Sequence, residues 1–314
     1  MKNSRLLFLA VCSVLVLDAA AFSADEDGQR VRPAKAEGAG PRIFLCTDLE
    51  AVAGVLDSVN WCKEGGRNYE EARHLLMGEI NAAVAGFFDG GASEVTVLSG
   101  HGDEAMLPEE LDERATLQRG NDFGKWPGLW PFRLDRGYDA FALIGQHAKA
   151  GTPYGHLTHT GSMDVIDRRI NGLSIGEYGQ GALCAKEFGM PTIFASGDAA
   201  MCDEAEALTP GVVTVAVKFG LDPDDGSREM TAEEYRRAKT SVVTLAPKAA
   251  RKKIYAGAKE AVEQLIHSPE SFTYADNIEP PYVLETEYRP EKHGGEVRTQ
   301  RKEHPTSFSM VLGM

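Results

Sequence analysis

The chain reads as an α/β fold, a mostly parallel sheet covered by helices on both faces, with a smaller C-terminal α+β unit. Three observations predict it. Short runs rich in β-branched and apolar residues lack polar alternation, as strands buried on both faces do. Segments with helical apolar spacing separate these runs, the order of parallel strands joined by crossovers. After about residue 205 the order becomes less regular and the segments more polar.

The elements follow in chain order. Arg42 to Thr47 is an apolar run that predicts the first strand. Asn68 to Phe88 predicts a helix, because Leu75, Leu76, Ile80, Ala83, Val84 and Phe87 share one face, and Gly90-Gly91 stops it. Strands are predicted over Ser93–Leu98 and Tyr138–Ile144, a helix over Leu173–Phe188, and a strand over Pro191–Ser196. Val212–Val217 is a further strand and Asp222–Glu234 an acidic loop. A basic amphipathic helix over Pro247–Ile266 is followed by strands at Tyr282–Glu287 and Ser307–Leu312. Asp222-x-Asp224-Asp225-Gly226 lacks the ligand spacing of a calcium loop and reads as a solvated turn.

Composition narrows the partners. A net charge of −14 leaves no cationic surplus to displace counterions from nucleic acid. At the N-terminal end, Lys2 and Arg5 precede the apolar run Leu6–Leu17, and small residues follow from Ala19 to Ala24. That is the order of a secretory signal, with cleavage at Ala19-x-Ala21 or Ala21-x-Ser23. The run is about twelve residues, short of the roughly twenty that a membrane span needs. The expectation is export to the periplasm or beyond, with no membrane span. Cys12 stands in an approximate lipoprotein site, but Val11 occupies the place of a small residue. Cys46, Cys62, Cys184 and Cys202 then remain, either as two disulfides or as buried thiols.

Residues capable of chemistry gather at the ends of the predicted strands, where open α/β sheets bind ligands. The first strand runs into Asp48-Leu49-Glu50, whose two carboxylates share one side of the chain by period two. The second runs into Gly100-His101-Gly102-Asp103 and the third into Gly145-Gln146-His147. The later helix opens with Gly176-Glu177. Together Asp48, Glu50, His101, His147 and Glu177 form an oxygen and nitrogen donor set. It suits zinc or manganese, and suffices for two metals if one carboxylate bridges. The organisation expected is a signal peptide over 1–24, a flexible linker over 25–40, a metal-binding α/β domain over 41–204 and a smaller α+β domain over 205–314.

Several of these stretches resemble the DppA-type zinc D-aminopeptidase family. They are Thr47-Asp-Leu-Glu-Ala-Val-Ala-Gly54, Arg67-Asn-Tyr69, Gly145-Gln-His-Ala148, Gly151-Thr-Pro153, Thr158-His-Thr160, Ile170-Asn-Gly172 and Gly176-Glu177. The likeness runs in unbroken order from about residue 42 to 266, through Ala216-Val-Lys218 and Leu245-Ala-Pro247. It implies a decameric peptidase with two zinc ions per subunit that removes N-terminal D-amino acids from short peptides. It implies Asp48 as the bridging ligand, with Glu50, His101, His147 and Glu177 completing the two sites. It places His159 where the family has its essential histidine, as nucleophile or general base, with His156 as the competing position.

Departures from the family pattern bear on specificity. Ala51 replaces the usual glycine after the Asp-x-Glu pair. Ser99-Gly100 replaces the usual aspartate-serine before His101, which removes an expected hydrogen-bond partner that Asp103 could replace. The aromatic stretch Phe123–Phe132 is either a pocket wall or a packed loop. Two other readings stand beside the aminopeptidase: a metallo-amidase or esterase on another small substrate, and a non-catalytic metal-binding protein of the same fold.

Overall fold

The structure is a computed structural model, and it describes residues 23–24, 30–31, 35–102, 104–119, 137–224, 226–275 and 278–313. The signal segment up to residue 22 with Cys12, half of the 25–40 linker, Asp103, the aromatic stretch at 123–132 and Asp225 lie outside the described residues. A short ribbon pairs β1 (Ser23–Ala24) with β2 (Arg30–Val31). The end of the expected linker is fixed to the body, because Lys35 Nζ donates to Asp139 Oδ2 at 2.8 Å.

The main sheet is built from β3 (Arg42–Thr47), β4 (Glu94–Leu98), β5 (Thr116–Gln118), β6 (Ala140–Gln146), β9 (Thr192–Asp198), β10 (Val213–Gly220) and β11 (Val242–Thr244). Its order is β11-β10-β9-β6-β3-β4-β5, all parallel except β11 against β10. The chain moves from β3 outward through β4 and β5, then restarts at β6 on the other side of β3. That reversal makes the β3–β6 boundary a topological switch point, where a crevice opens beyond the strands' carboxyl ends.

Both faces are covered, as strands without polar alternation require. Ile43 and Leu45 of β3 face α1 (Tyr69–Asp89) and α5 (Pro247–His267), which pack along one another. Phe44 and Cys46 face the opposite layer of α2 (Glu177–Glu187), α3 (Ala199–Leu208) and α6 (Phe308–Gly313). Full burial of each large apolar side chain contributes about 1.5–3 kcal/mol. Helix α1 begins with Glu70 and Glu71, which suit the helix dipole, and ends where Gly91 adopts a φ of +106° that a Cβ resists. Gly257 brings α5 close to the sheet, since a Cβ there would lie 2.7 Å from Val215 Cγ2.

A four-stranded antiparallel sheet, ordered β13-β12-β7-β8, contains β7 (Val165–Ile170), β8 (Leu173–Ser174), β12 (Tyr282–Tyr288) and β13 (Arg298–His304). Sheet membership therefore does not divide at residue 205 as expected. β10 extends the parallel sheet beside β9, and the apolar side of α5 covers that sheet, while β7 and β8 join the smaller one. Three expectations about single elements are corrected. Ser307–Leu312 is not a strand: Ser307 Oγ accepts from Met310 N at 3.2 Å, and Phe308 and Val311 bury one side of α6. The helix expected from Leu173 starts only at Glu177, because Leu173–Ser174 is β8. The acidic loop ends early in α4 (Ala232–Ala238), where Thr231 and Glu234 form a capping box.

The four cysteines Cys46, Cys62, Cys184 and Cys202 are buried free thiols, so the two-disulfide alternative falls. Among the described residues no helix is long and apolar enough to cross a membrane.

Candidate metal centre

Three strand ends of the main sheet converge on the switch-point crevice. Asp48 leaves β3, His147 leaves β6 and His101 follows β4, while Glu177 opens α2. Two glycines allow the chains to approach this closely. A Cβ on Gly145 would lie 2.1 Å from Asp48 O, and one on Gly100 would lie 2.2 Å from Thr47 O. Gly100 thus has a packing reason to stand where a side chain is usual.

The donor atoms face one another across Asp48. His101 Nδ1 lies 3.2 Å from Asp48 Oδ1 and 3.2 Å from Glu50 Oε2. His147 Nε2 lies 3.3 Å from Asp48 Oδ2 and 3.4 Å from Glu177 Oε1. His159 Nε2 is 3.7 Å from Glu177 Oε1, and its ring stacks on His147 with centroids 3.8 Å apart. Among the described residues two triads have donor atoms all within 4.8 Å of one another: Asp48–Glu50–His147 and His147–His159–Glu177. His101 is outside both triads yet touches two of their carboxylates.

Each of the three imidazoles has one ring nitrogen beside a backbone carbonyl. His101 Nε2 is 2.8 Å from Cys62 O, His147 Nδ1 is 2.9 Å from Ala148 O, and His159 Nδ1 is 2.8 Å from Leu157 O. A nitrogen facing a carbonyl must donate, so the opposite nitrogen presents its lone pair to the carboxylates whenever the ring is neutral. The Cys62 carbonyl thereby supplies the partner that the altered residues before His101 had left in question.

The electrostatics identify what the cluster lacks. Burial would raise Glu50 and Glu177, but the charges of His101 and His147 respectively outweigh it and hold both carboxyls low. Burial would lower His101 and His147, yet the surrounding carboxylates push both up. Asp48 rises through burial and the charge of Glu50. Protons on His101 and His147 therefore stand in for cations in a pocket of three buried carboxylates. Among the described residues Glu50 Oε2 and His147 Nε2 nevertheless have no hydrogen-bond partner of good geometry, although His101 Nδ1 lies near the one and carboxylate oxygens near the other. Buried, inward-facing and unsatisfied, they fit a metal better than they fit each other. His159 differs, because burial and the charge of His147 lower its pKa and favour the neutral ring.

His156, the competing position, sits elsewhere. Its Nε2 contacts Leu56 O at 3.1 Å, its backbone N–H donates to Asp198 Oδ2, and burial takes its pKa down to about 3.

Two residues of the stretches quoted above, given no role from the sequence, support the site. Lys218 is fully buried on β10, and its Nζ donates to Glu50 O at 2.7 Å and also to Val55 O. It thus fixes the loop that carries Glu50, while burial takes its own pKa down to about 8. A lone lysine inside the apolar run Val213–Phe219 was the available signal. Gln146, in the Gly145-Gln-His-Ala148 stretch, donates from Nε2 to Asp48 Oδ2 at 3.3 Å.

A D-aminopeptidase of Bacillus subtilis (strain 168) is 31% identical over 182 residues, which are 56% of this chain and 63% of that protein. The chain thus spans somewhat under two thirds of that curated relative's length. The solved structure of the Zn-dependent D-aminopeptidase DppA from Bacillus subtilis, described as a self-compartmentalizing protease, has the same fold. It superposes with a TM-score of 0.69 at 22% identity, covering 87% of this chain and 94% of that one. The sequence model of peptidase family M55, described as D-aminopeptidase, matches residues 42–298, and the chain belongs to that family.

Proposed function

We propose that this protein is an exported aminopeptidase, dependent on two zinc ions per subunit, that releases N-terminal D-amino acids from short peptides. The observation that carries the reading is the shared orientation of His101, His147 and His159, each tied to a backbone carbonyl and turned towards buried carboxylates. Membership of a family described as D-aminopeptidase, and the zinc dependence of the Bacillus subtilis DppA, support it.

Asp48, Glu50, His101, His147 and Glu177 would hold the ions, Asp48 standing between His101 and His147 with one carboxylate oxygen near each. When bound, the ions polarise the scissile carbonyl and lower the pKa of an attacking water. His159 holds a neutral ring whose Nε2 lone pair faces the same space. Nε2 accepts the proton of the attacking water and returns it to the leaving amine. Carboxylate oxygens not spent on metal hold the substrate's α-ammonium.

Self-association is part of the proposal. Phe219 and Val243 are cross-strand partners at the sheet edge, both exposed, and exposed Tyr154 and Leu221 adjoin them. An apolar patch at an edge strand suits a second copy of the chain. Export rests on the Lys2–Ala24 pattern.

The test is metal analysis of the purified protein joined to a panel of D- and L-aminoacyl amides and esters. The expected result is about two zinc ions per chain, loss of activity on chelation and preference for D-amides. Activity that survives chelation overturns the metal reading. Equal rates on L-amides overturn the stereochemical one.

A further inference from the structure

The cleft beside the candidate metal centre has a volume of about 540 Å³, and its lining is not only acidic: Lys63, Arg168 and Arg236 line it with Asp48, Glu50 and Glu177. The three cations are not equivalent. Arg236 is paired with Glu233 on its own helix, and Lys63 is exposed. Arg168, on β7, is half-buried and held at two points. Its Nε donates to Thr286 Oγ1 at 3.2 Å and its Nη1 to Gln180 Oε1 at 3.1 Å. Both acceptors are neutral, and among the described residues no carboxylate pairs with the guanidinium.

A guanidinium has five N–H donors, so about three remain unspent. Their planar fork matches a carboxylate in bidentate fashion. A half-buried cation without a counter-ion is poorly solvated, and an arriving anion relieves that cost.

The distance sets the size of the anion's owner. Arg168 Nη1 lies 3.7 Å from where a Cβ on Gly161 would sit, and Gly161 N donates to Glu177 Oε1 at 2.6 Å. The covalent bonds of Gly161 therefore keep Nη1 within about 9 Å of Glu177 Oε1. A hydrogen bond to a carboxylate takes about 2.9 Å of that span. Of the roughly 6 Å left between Glu177 Oε1 and the anion, one extended residue takes up to about 3.6 Å and two extended residues about 7 Å, so a single residue beyond the bond that is cut fits the gap better. The glycine at 161, with a φ of +74°, leaves this gap free of a side chain.

We propose that Arg168 binds the free C-terminal carboxylate of the substrate and makes the enzyme select dipeptides. The inference rests on the peptidase reading given above and names its substrate class.

The experiment compares D-alanyl-D-alanine with D-alanyl-D-alanine amide on the zinc-loaded parent, Arg168→Met and Arg168→Lys. The parent is expected to prefer the free acid. Arg168→Met should lower kcat/KM for the acid about ten- to hundredfold, mainly through KM, and leave the amide nearly unchanged. Arg168→Lys, which keeps the charge without the fork, should fall between. A purely structural Arg168, stapling β7 to β12 and α2, would instead cost both substrates equally, and that result overturns the proposal. So does a parent that cuts acid and amide equally well. Turnover of neither compound by the parent overturns the peptidase reading itself and this inference with it.

Discussion

β3 and β6 of the seven-stranded sheet are buried almost throughout, whereas β13 of the four-stranded sheet, Arg298–His304, is exposed along most of its length. Both sheets reach the same cleft. The parallel sheet delivers Asp48, His101 and His147 from adjacent strand ends, rigidly, because its strands are clamped between two helical layers. The antiparallel sheet delivers Arg168 from β7, held by single hydrogen bonds to β12 and α2. The difference teaches a division of labour. The buried sheet sets the positions of the candidate ligands, and the wetter sheet places a cation beside them.

The largest effects should come from the parallel sheet. His147→Ala removes an atom common to both donor triads, and its metal affinity should fall by more than about a hundredfold, read by competition with a chelator of known strength. His159→Ala sharpens the comparison from within the same site. It should keep its metal while kcat falls about 10²–10⁴-fold, as expected for a lost general base. Equal loss of metal in the two variants would make His159 a ligand and reverse its assignment.

A middle-sized effect is expected at Lys218→Met. The Glu50 and Val55 carbonyls lose their buried donor, and stability should drop by about 1–3 kcal/mol in urea unfolding. An unchanged midpoint would mean that the loop is held by other contacts. The smallest belongs to the antiparallel sheet. Arg301 on β13 is exposed and pairs with Glu285 and Glu303, so Arg301→Ala should change stability by less than about 0.5 kcal/mol. A large loss there would contradict the contrast between the sheets.

Legibility in the sequence followed the same line. β3, β4, β6 and β9 announce themselves as apolar runs, and Asp48, Glu50, His101 and His147 could be placed because strand ends follow from those runs. β7 and β13 could not be found this way: Val-Ile-Asp-Arg-Arg-Ile and Arg-Thr-Gln-Arg-Lys-Glu-His carry too little apolar alternation to set a period. Arg168 was hidden with them. The short run Ser307–Leu312 is ambiguous between strand and helix until packing of Phe308 and Val311 decides it. The Cys62 carbonyl was invisible for another reason, since backbone groups leave no residue signature. Sheet membership does not follow the loss of regularity after 205, because β10 continues the parallel sheet.

The central claim is that buried carboxylates and oriented imidazoles here form a cation site kept in balance by protons on His101 and His147. Calorimetric zinc titration of the metal-free protein near neutral pH, repeated in buffers of different ionisation enthalpy, tests it directly. The account predicts tight binding with release of protons, and affinity that rises with pH as those two imidazoles give theirs up. Binding without proton release, or no binding by the folded protein, would contradict it.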